Sequence, residues 1–535
     1  MYRRSCPDQL SFENFYLPFG GKLSGENRWV KLAALIPWQS VEADYAEQFS
    51  HQMGAPAKSF RVALGALLIK EKLGTSDAET VEQIRENPYL QYFLGFSEYR
   101  DSAPFDPSML VHFRKRLSLE LISQLNSAVV QAMLTSEEPC LEEASTAEEQ
   151  PTISPKSSTA SNQDDEPPPP NQGQLILDAT CAPADIRYPT DLGLLNEARA
   201  ASEGILDVLY QQVVTVFQSK PRTYRKLARK AYLAIAKQRQ PSRQLRRKGI
   251  RQQLNYLARN LRHIDRLIDA GAPLTSLSRR QYRLLLVLSE IYRQQQEMYE
   301  NKCHRIDNRI VSLTQPHVRP IVRGKAGVPV EFGAKLSVSY VSGCVFLDEL
   351  SWDNVNEATH LQAQVEAFRT RFGHYPESVH ADQIYRTRDN RRWCQAHGIR
   401  LSGPPLGRPK ADSTVQAELK QQARADEKVR VAIEGKFGQA KRRFSLARVM
   451  AKLAPTAQCA IAITFLVLNL ERWLRQLLML FCGLYALYIK ALNLLLGLYE
   501  RSQHEEDERQ PEVCWNGSPQ SAEMSAANIN ALLAA

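Results

Sequence analysis

Closely spaced cysteines are absent from this 535-residue chain, and their absence excludes two common kinds of scaffold. The nine cysteines stand singly at positions 6, 140, 181, 303, 344, 394, 459, 482 and 514. No C-x-x-C pair occurs, and no cysteine–histidine group has zinc-finger spacing, so we expect no structural zinc site. An odd number of scattered thiols is typical of a reducing compartment rather than of a disulfide framework. We therefore predict a cytoplasmic protein.

Uninterrupted apolar runs of membrane-spanning length are also absent. Residues 456–470 carry no charge over 15 positions and residues 476–489 carry none over 14, whereas a membrane helix needs about 18 or more apolar residues. The segment 1–15 has basic residues with no apolar run after them, so we expect no signal peptide. We interpret the two runs as buried helices, packed on the core or at a subunit interface, and predict no membrane association.

The overall composition is that of a globular protein. Hydrophobic residues make up 43% of the chain and charged residues 24%, which excludes collagen, a coiled-coil rod and wholesale disorder. The length suggests about three to five folded units. Lysine and arginine number 68 against 58 aspartate and glutamate, a net charge of +10 that points only weakly to an anionic partner.

The charge is unevenly placed along the chain. Residues 135–171 contain nine acids, one lysine and the run Pro167–Pro170, and we expect a disordered linker there. Residues 220–262 contain 15 lysines and arginines and no acid. Such a run is either a solvated helical face or a contact to nucleic acid, and we favour DNA contact because like charges repel unless a partner neutralises them. Arg246, Arg247 and Lys248 are the candidate contacts.

Residues 1–134 show helical periodicity, as in Val62, Leu64, Leu67 and Leu68. Asp106 and Pro107 are suited to the start of a helix that carries basic residues, among them Arg114. Short helices ending in a basic one are compatible with helix-turn-helix DNA binding, with Arg114 as a DNA contact, and equally with a plain helical bundle.

Carboxylates follow or interrupt apolar segments at three places. The run 175–177 is a short predicted strand that ends in Asp178, and a later strand ends in Asp382. Strands with a period of two begin near residue 309, with a turn signal at Ser342–Gly343, and the helix that follows is expected to end at Gly373. A long helix from about residue 414 carries Glu434. Three acids in this order can converge, and oxygen ligands of this kind suit two divalent ions that act on a phosphodiester.

Each acid alone has an ordinary interpretation, as a cap, a turn residue or a helix-surface acid. Other acids remain candidates for the same site: Asp185, Asp191, Asp348, Asp353 and Asp389. We interpret Asp185 and Asp191 as structural, because they lie in turn-like sequence. His380 is expected to pack near the site.

The three acidic segments resemble those of the DDE transposases of bacterial insertion sequences, in particular the insertion-sequence-five-like group. The resemblance rests on LDATCAPADIRYPTDLGLLNEAR, ESVHADQIYRTRDNRRWCQAHGIR and RVAIEGKFGQAKRRF. The last segment matches most of the signature Y-x2-R-x3-E-x6-K through Arg430, Glu434 and Lys441, with Glu427 at the tyrosine position. At about 100° per residue these three residues lie within about 40° of one helix face.

The resemblance implies an α/β ribonuclease-H-like catalytic core interrupted by a helical insertion and preceded by an all-α N-terminal domain. It implies Asp178, Asp382 and Glu434 as catalytic ligands of two Mg²⁺ (or Mn²⁺) ions, with Arg430, Lys441 and the adjacent Arg442 as DNA contacts. A nucleoid-associated protein that cleaves element ends and joins them to target DNA, as a homodimer, is expected. A nuclease without strand transfer and a non-catalytic DNA-binding derivative are the alternatives.

The predicted division of the chain follows from these segments. It comprises a helical N-terminal DNA-binding domain (1–134), the acidic linker (135–171), the catalytic core (172–192 and 305–455), the basic helical insertion (193–304), apolar C-terminal helices (456–500) and a mobile tail (501–535).

Overall fold

A mixed β-sheet lies at the centre of the chain in the computed structural model of the protein. The structure describes residues 11–17, 20–50, 56–135, 170–217, 219–322, 330–404 and 413–507. Residues 136–169 of the predicted linker and 508–535 of the predicted tail lie outside them. The chain divides into two compact units, Met1–Leu474 and Arg475–Ala535. All side-chain contacts reported below belong to the first unit.

The N-terminal region is helical, as predicted. Its helices are α1 (Arg28–Leu35), α2 (Glu42–Glu47), α3 (Phe60–Leu73), α4 (Asp77–Glu86), α5 (Pro88–Phe93), α6 (Met109–Arg116) and α7 (Leu119–Thr135). The helix expected to start at Asp106 is in fact two helices. The Asp106 carboxylate accepts the Ser108 N–H at 2.8 Å and α6 starts one residue later. The chain breaks after Arg116, and the Ser118 hydroxyl accepts the Leu121 N–H at 3.2 Å within the first turn of α7.

Six strands form the sheet: β1 (Gln174–Pro183), β2 (Arg319–Val322), β3 (Val330–Val341), β4 (Cys344–Ser351), β5 (Ser378–Ala381) and β6 (Arg400–Leu401). Their order is β2-β3-β1-β5-β6, and β4 also pairs with β3. β1 is antiparallel to β3 and parallel to β5, which in turn is parallel to β6. Ser342 and Gly343 connect β3 to β4, both with positive φ (47° and 87°), the backbone of a type I′ hairpin turn. The turn predicted at these residues is confirmed.

β1 is longer than the sequence predicted. The parallel pairing with β5 ends at Leu177 and Ala381, but antiparallel pairing with β3 continues to Pro183 opposite Gly333. Asp178 therefore lies inside the strand and not at its end, which corrects the prediction. The strand continues because β3, far along the chain, supplies hydrogen-bond partners that local sequence does not reveal.

Four helices make up the segment between β1 and β2: α8 (Asp191–Gln212), α9 (Arg225–Ala236), α10 (Arg243–Asp269) and α11 (Arg279–Glu300). The apolar faces of α8, α10 and α11 share one core that includes Leu206, Leu257, Leu288 and Ile291. Since the apolar residues face inward, much of the positive charge of residues 220–262 is left at the surface.

Four more helices come after β4: α12 (Leu361–Phe372) before β5, α13 (Arg388–Ala396) before β6, and then α14 (Ser413–Arg443) and α15 (Ala454–Asp507). α12 ends at Gly373 with φ 81°, as predicted. The apolar C-terminal segment forms a single helix and not the separate helices that were predicted. α15 continues through Glu471 and Arg472, which lie between the two apolar runs.

The start of α15 is a buried helix of the first unit. The span Ala454–Met479 is long and apolar enough to cross a bilayer by composition, but 78% of its most apolar window is buried inside the protein. Glu471 pairs with Lys72 and with Arg443, the latter at 3.0 Å, so the negative charge that follows the first apolar run is neutralised. Burial of the first apolar run is thereby confirmed.

Candidate active site

Asp178 and Asp382 emerge side by side from two neighbouring parallel strands. Leu177 of β1 pairs with Ala381 of β5, and each of these two residues is followed by an aspartate. The Asp178 side chain is 16% exposed. Asp382 is exposed and caps the short 3-10 helix Gln383–Tyr385, where its carboxylate accepts the Gln383 N–H at 2.7 Å. The register of the sheet brings these two predicted acids together.

Glu434 reaches the same region from α14. Ile433, Phe437 and Ala440 form the buried side of this helix, and Glu434 lies at its margin with a side chain that is 52% exposed. Arg430, one turn earlier, lies between the acids. Its guanidinium is 3.8 Å from Asp178 Oδ2 and 3.3 Å from Glu434 Oε1.

Glu427, on the same helix, also binds the Arg430 guanidinium. Arg430 Nη2 donates to Glu427 Oε1 at 2.8 Å. This hydrogen bond raises the pKa of Arg430, and the charges of Glu427, Asp178 and Asp382 act in the same direction. The glutamate at the signature's tyrosine position is thus part of the charge arrangement, a role that its sequence position alone did not indicate.

Burial disfavours the charged form of the Asp178 carboxyl group. It raises the pKa of Asp178 to about 6, and the charges of Glu357 and Asp382 act in the same direction. The Ala179 N–H, which donates to Asp178 at 2.8 Å, and the Arg430 guanidinium act against the shift. A carboxylate in this setting is stabilised by any cation that approaches it.

Two further residues near Asp178 were missed by sequence reasoning. Glu357 begins a short 3-10 helix after β4 and pairs with Lys335 of β3 at 2.9 Å. The Tyr385 hydroxyl is buried without a hydrogen-bond partner among the described residues. Burial raises the pKa of Tyr385 well above its usual range, and the charges of Glu357 and Asp178 act in the same direction. Glu357 lies outside the three acidic segments, whereas Tyr385 lies in the second of them, three residues after Asp382.

The donor set suits a hard divalent cation in its chemistry. Carboxylate oxygens are the ligands that Mg²⁺ and Mn²⁺ prefer. Burial raises the pKa of Asp178, so a cation beside this carboxylate would favour its charged form. Within the described ranges, no group of three acidic, histidine or cysteine side chains lies close enough to hold one ion. Instead, Arg430 lies between Asp178 and Glu434, so the acids are arranged around an internal cation.

The predicted DNA contacts fall into two groups. Arg246, Lys248 and Arg442 are exposed, Lys441 and Arg247 are half-buried, and the Arg247 guanidinium lies 4.1 Å from the Tyr299 ring centroid. The prediction of Arg114 as a DNA contact is corrected, since its side chain is only 11% exposed. It donates to both Asp77 oxygens at 3.1 and 2.6 Å. This two-pronged ion pair fastens α6 to α4, so we do not retain Arg114 as a DNA contact.

The remaining acids are engaged elsewhere. Asp185 pairs with Arg448 at 2.8 Å and Asp191 with Arg309 at 2.6 Å, which confirms their structural interpretation. The other candidates either pair with arginine or are exposed: Asp348 pairs with Arg371 at 2.7 Å, Asp353 is 65% exposed and Asp389 is 87% exposed. His380 is buried, as expected, with Nε2 3.1 Å from the Ser378 hydroxyl.

Comparison with known proteins identifies two separate stretches. Residues 379–471, which include Asp382 and Glu434, match the model of a transposase DDE domain. Residues 18–116 match the model of a transposase domain (DUF772). These matches confirm the resemblance to bacterial insertion-sequence DDE transposases. The first match contains two of the three acids of the candidate site, and the second covers most of the N-terminal helices.

A curated relative shares part of the sequence. It is the uncharacterized protein ORF8 in the nfe locus of Rhizobium meliloti, 33% identical over 128 residues, or 24% of this chain. The chain spans about 61% of the length of that relative. No solved structure matches the chain.

Proposed function

We propose that the protein is a DNA transposase that cleaves the ends of its element and transfers the freed strands into target DNA. The observation that carries the proposal is the meeting of Asp178 and Asp382 at adjacent strands, with Glu434 joined to Asp178 through Arg430. A transposase DDE domain match over residues 379–471 supports the same chemistry.

The core of residues 172–192 and 305–455 is proposed to be ribonuclease-H-like. The mixed sheet supports this, because antiparallel strands lie on one side of β1 and parallel strands on the other. The four basic helices between β1 and β2 are then an insertion within the core. The segment 1–134 is proposed as a DNA-binding domain.

Asp178, Asp382 and Glu434 are the proposed ligands of Mg²⁺ or Mn²⁺. When bound, two such ions would activate the attacking oxygen and stabilise the leaving oxygen of a phosphodiester. The chain's own contribution is electrostatic. Asp178 supplies a buried negative charge, and Arg430 offers a guanidinium that can exchange carboxylate partners for DNA phosphate. Lys441 and Arg442, further along α14, are the proposed contacts to the same strand.

Two copies of the chain are proposed to act together, because two element ends must be brought to one target. The partners are therefore element-end DNA, target DNA and a second copy of this chain.

The test is a cleavage and strand-transfer assay on DNA that carries the inverted repeats flanking the coding sequence. Asp178→Asn, Asp382→Asn and Glu434→Gln should each abolish cleavage and keep DNA binding. Asp389→Asn is the matched control, because this aspartate lies seven residues after Asp382 in the first turn of α13 and its side chain is 87% exposed. Full cleavage by Asp382→Asn would refute the assignment.

Two other results would change the class of the protein. Cleavage without joined products would make it a nuclease without strand transfer. DNA binding with no cleavage in Mg²⁺ or Mn²⁺ would make it a non-catalytic DNA-binding protein.

A further inference from the structure

A cleft of about 810 Å³ opens within the basic helical insertion. Its walls are the connection from β1 to α8, the helix α9, the first turns of α10 and the end of α11. Asp178, Asp382 and Glu434 do not line it. The cleft is thus formed by residues that do not belong to the acid cluster.

The rim of the cleft is cationic. Arg187, Arg243, Arg246 and Lys302 are exposed there, and none of them has an ion-pair partner in the part of the chain that the structure describes. Asp191 is the single acid among the lining residues. It is neutralised by Arg309 at 2.6 Å and accepts a hydrogen bond from Gln295 at 3.1 Å. The positive charge of the rim therefore has no internal compensation.

The interior of the cleft is apolar and aromatic. Tyr232, Ile235, Ile250 and Tyr299 contribute to its lining. The Tyr299 ring supports the Arg247 guanidinium at 4.1 Å, which limits the orientations of that arginine. Unpaired cations at the rim of such a groove match the phosphates of a nucleic acid backbone.

We propose that this cleft binds the phosphodiester backbone of DNA. The proposal rests on the proposed function only in taking DNA as the polymer on which the protein acts. Cations without partners gain the most from phosphate contact, because no internal ion pair has to be broken first and bound counterions are released. The cleft would hold DNA at a place separate from the residues that would cut it.

The first test measures binding of a short fluorescein-labelled duplex to the full-length chain in EDTA over a series of salt concentrations. Arg243→Ala/Arg246→Ala should reduce the salt slope of log K by about 2, since each lost phosphate contact removes about 0.9. Both side chains are exposed, so the variant should fold.

Arg279→Ala/Arg280→Ala is the matched control. These two arginines are also exposed at the start of a long helix of the insertion, but they do not line the cleft. Their loss should leave the slope nearly unchanged. Equal losses in the two double variants would show that only overall charge matters and would overturn the proposal.

Cys303 provides a second, local readout. It lines the cleft and is half-buried, whereas Cys181, Cys344, Cys394 and Cys459 are buried. Duplex DNA should slow alkylation of Cys303, followed by mass spectrometry of its peptide, and Arg243→Ala/Arg246→Ala should remove that protection. Identical alkylation with and without DNA would contradict the proposal.

Inorganic pyrophosphate and ATP separate the polymer from small phosphate ligands. Protection of Cys303 by either compound but not by the duplex would assign the cleft to a small phosphate ligand and overturn the proposal. None of these measurements requires cleavage. Cleavage by Asp382→Asn would therefore refute the catalytic assignment but not the proposal for the cleft. Unchanged DNA binding by Arg243→Ala/Arg246→Ala would refute the proposal for the cleft but not the catalytic assignment.

Discussion

The Arg430 guanidinium lies 3.8 Å from the Asp178 carboxylate, and this pair joins α14 to β1 at the candidate site. Arg430 also contacts Glu434 at 3.3 Å and Glu427 at 2.8 Å. One arginine is therefore the counter-charge for several acids. Any cation that binds between Asp178 and Glu434 has to compete with it.

Replacing Asp178 by asparagine should stabilise the metal-free protein near neutral pH. The pKa of Asp178 is raised from 3.8 to about 6, so its ionisation destabilises the folded state relative to the unfolded chain. The free energy of unfolding should rise by up to about 3 kcal/mol above pH 6. The gain should shrink as pH falls and vanish below about pH 4, because both states then hold the proton.

Urea unfolding in EDTA at several pH values measures this effect. Asp389→Asn, a change at an exposed carboxyl, should leave the free energy of unfolding unchanged within about 0.5 kcal/mol. A pH-independent difference between Asp178→Asn and the wild type would show that the carboxyl is not destabilised by burial.

Arg430→Gln should bind Mn²⁺ more tightly than the wild type does. Removing the positive charge of Arg430, about 4 Å from the carboxylate, relieves its repulsion of the Mn²⁺ ion. This repulsion is about 1 kcal/mol per charge of the ion, so the affinity should rise about fivefold or more. Isothermal titration calorimetry measures it directly. Arg424→Gln, at an exposed arginine earlier in α14, should have no such effect. Weaker Mn²⁺ binding by Arg430→Gln would mean that Arg430 supports the site and does not compete with the ion.

Arg114→Ala should lower stability and leave DNA binding intact. The change leaves the half-buried Asp77 without its two-pronged partner, and we expect a loss of about 1–3 kcal/mol in the free energy of unfolding. The salt slope of duplex binding should stay that of the wild type. A slope reduced by about 1 would restore Arg114 as a phosphate contact.

Gly333→Ala should distort the strand pair that carries Asp178. A Cβ atom at Gly333 would lie 2.0 Å from the Ala182 carbonyl oxygen, which belongs to the backbone and cannot move away cheaply. We expect a loss of about 1–3 kcal/mol or more in thermal or urea unfolding. The matched control is Gly204→Ala in α8, where a Cβ meets no atom within 4 Å. That change should stabilise the protein by about 0.5–1 kcal/mol, and equal effects at both positions would contradict the contact.

Local features of the site were predictable from the sequence alone. Asp382 follows a short strand, and Arg430, Glu434 and Lys441 share a helix face. Both features depend only on residues that are neighbours along the chain. The arrangement around Asp178 was not predictable. Glu357, about 180 residues away in the chain, affects its pKa only because the sheet and the short helix after β4 bring the two acids near each other.

The sequence by itself determined the helical N-terminal region, the hairpin at Ser342 and Gly343, the end of α12 at Gly373 and the order of the acidic segments. These follow from periodicity and backbone preferences that act over a few residues. Only the tertiary structure decided that Asp178 lies within a strand, that Arg114 is committed to Asp77 and that Arg430 lies among the acids. Each of these outcomes depends on burial and on a charged or hydrogen-bonding partner, and long-range packing alone determines which partner is near.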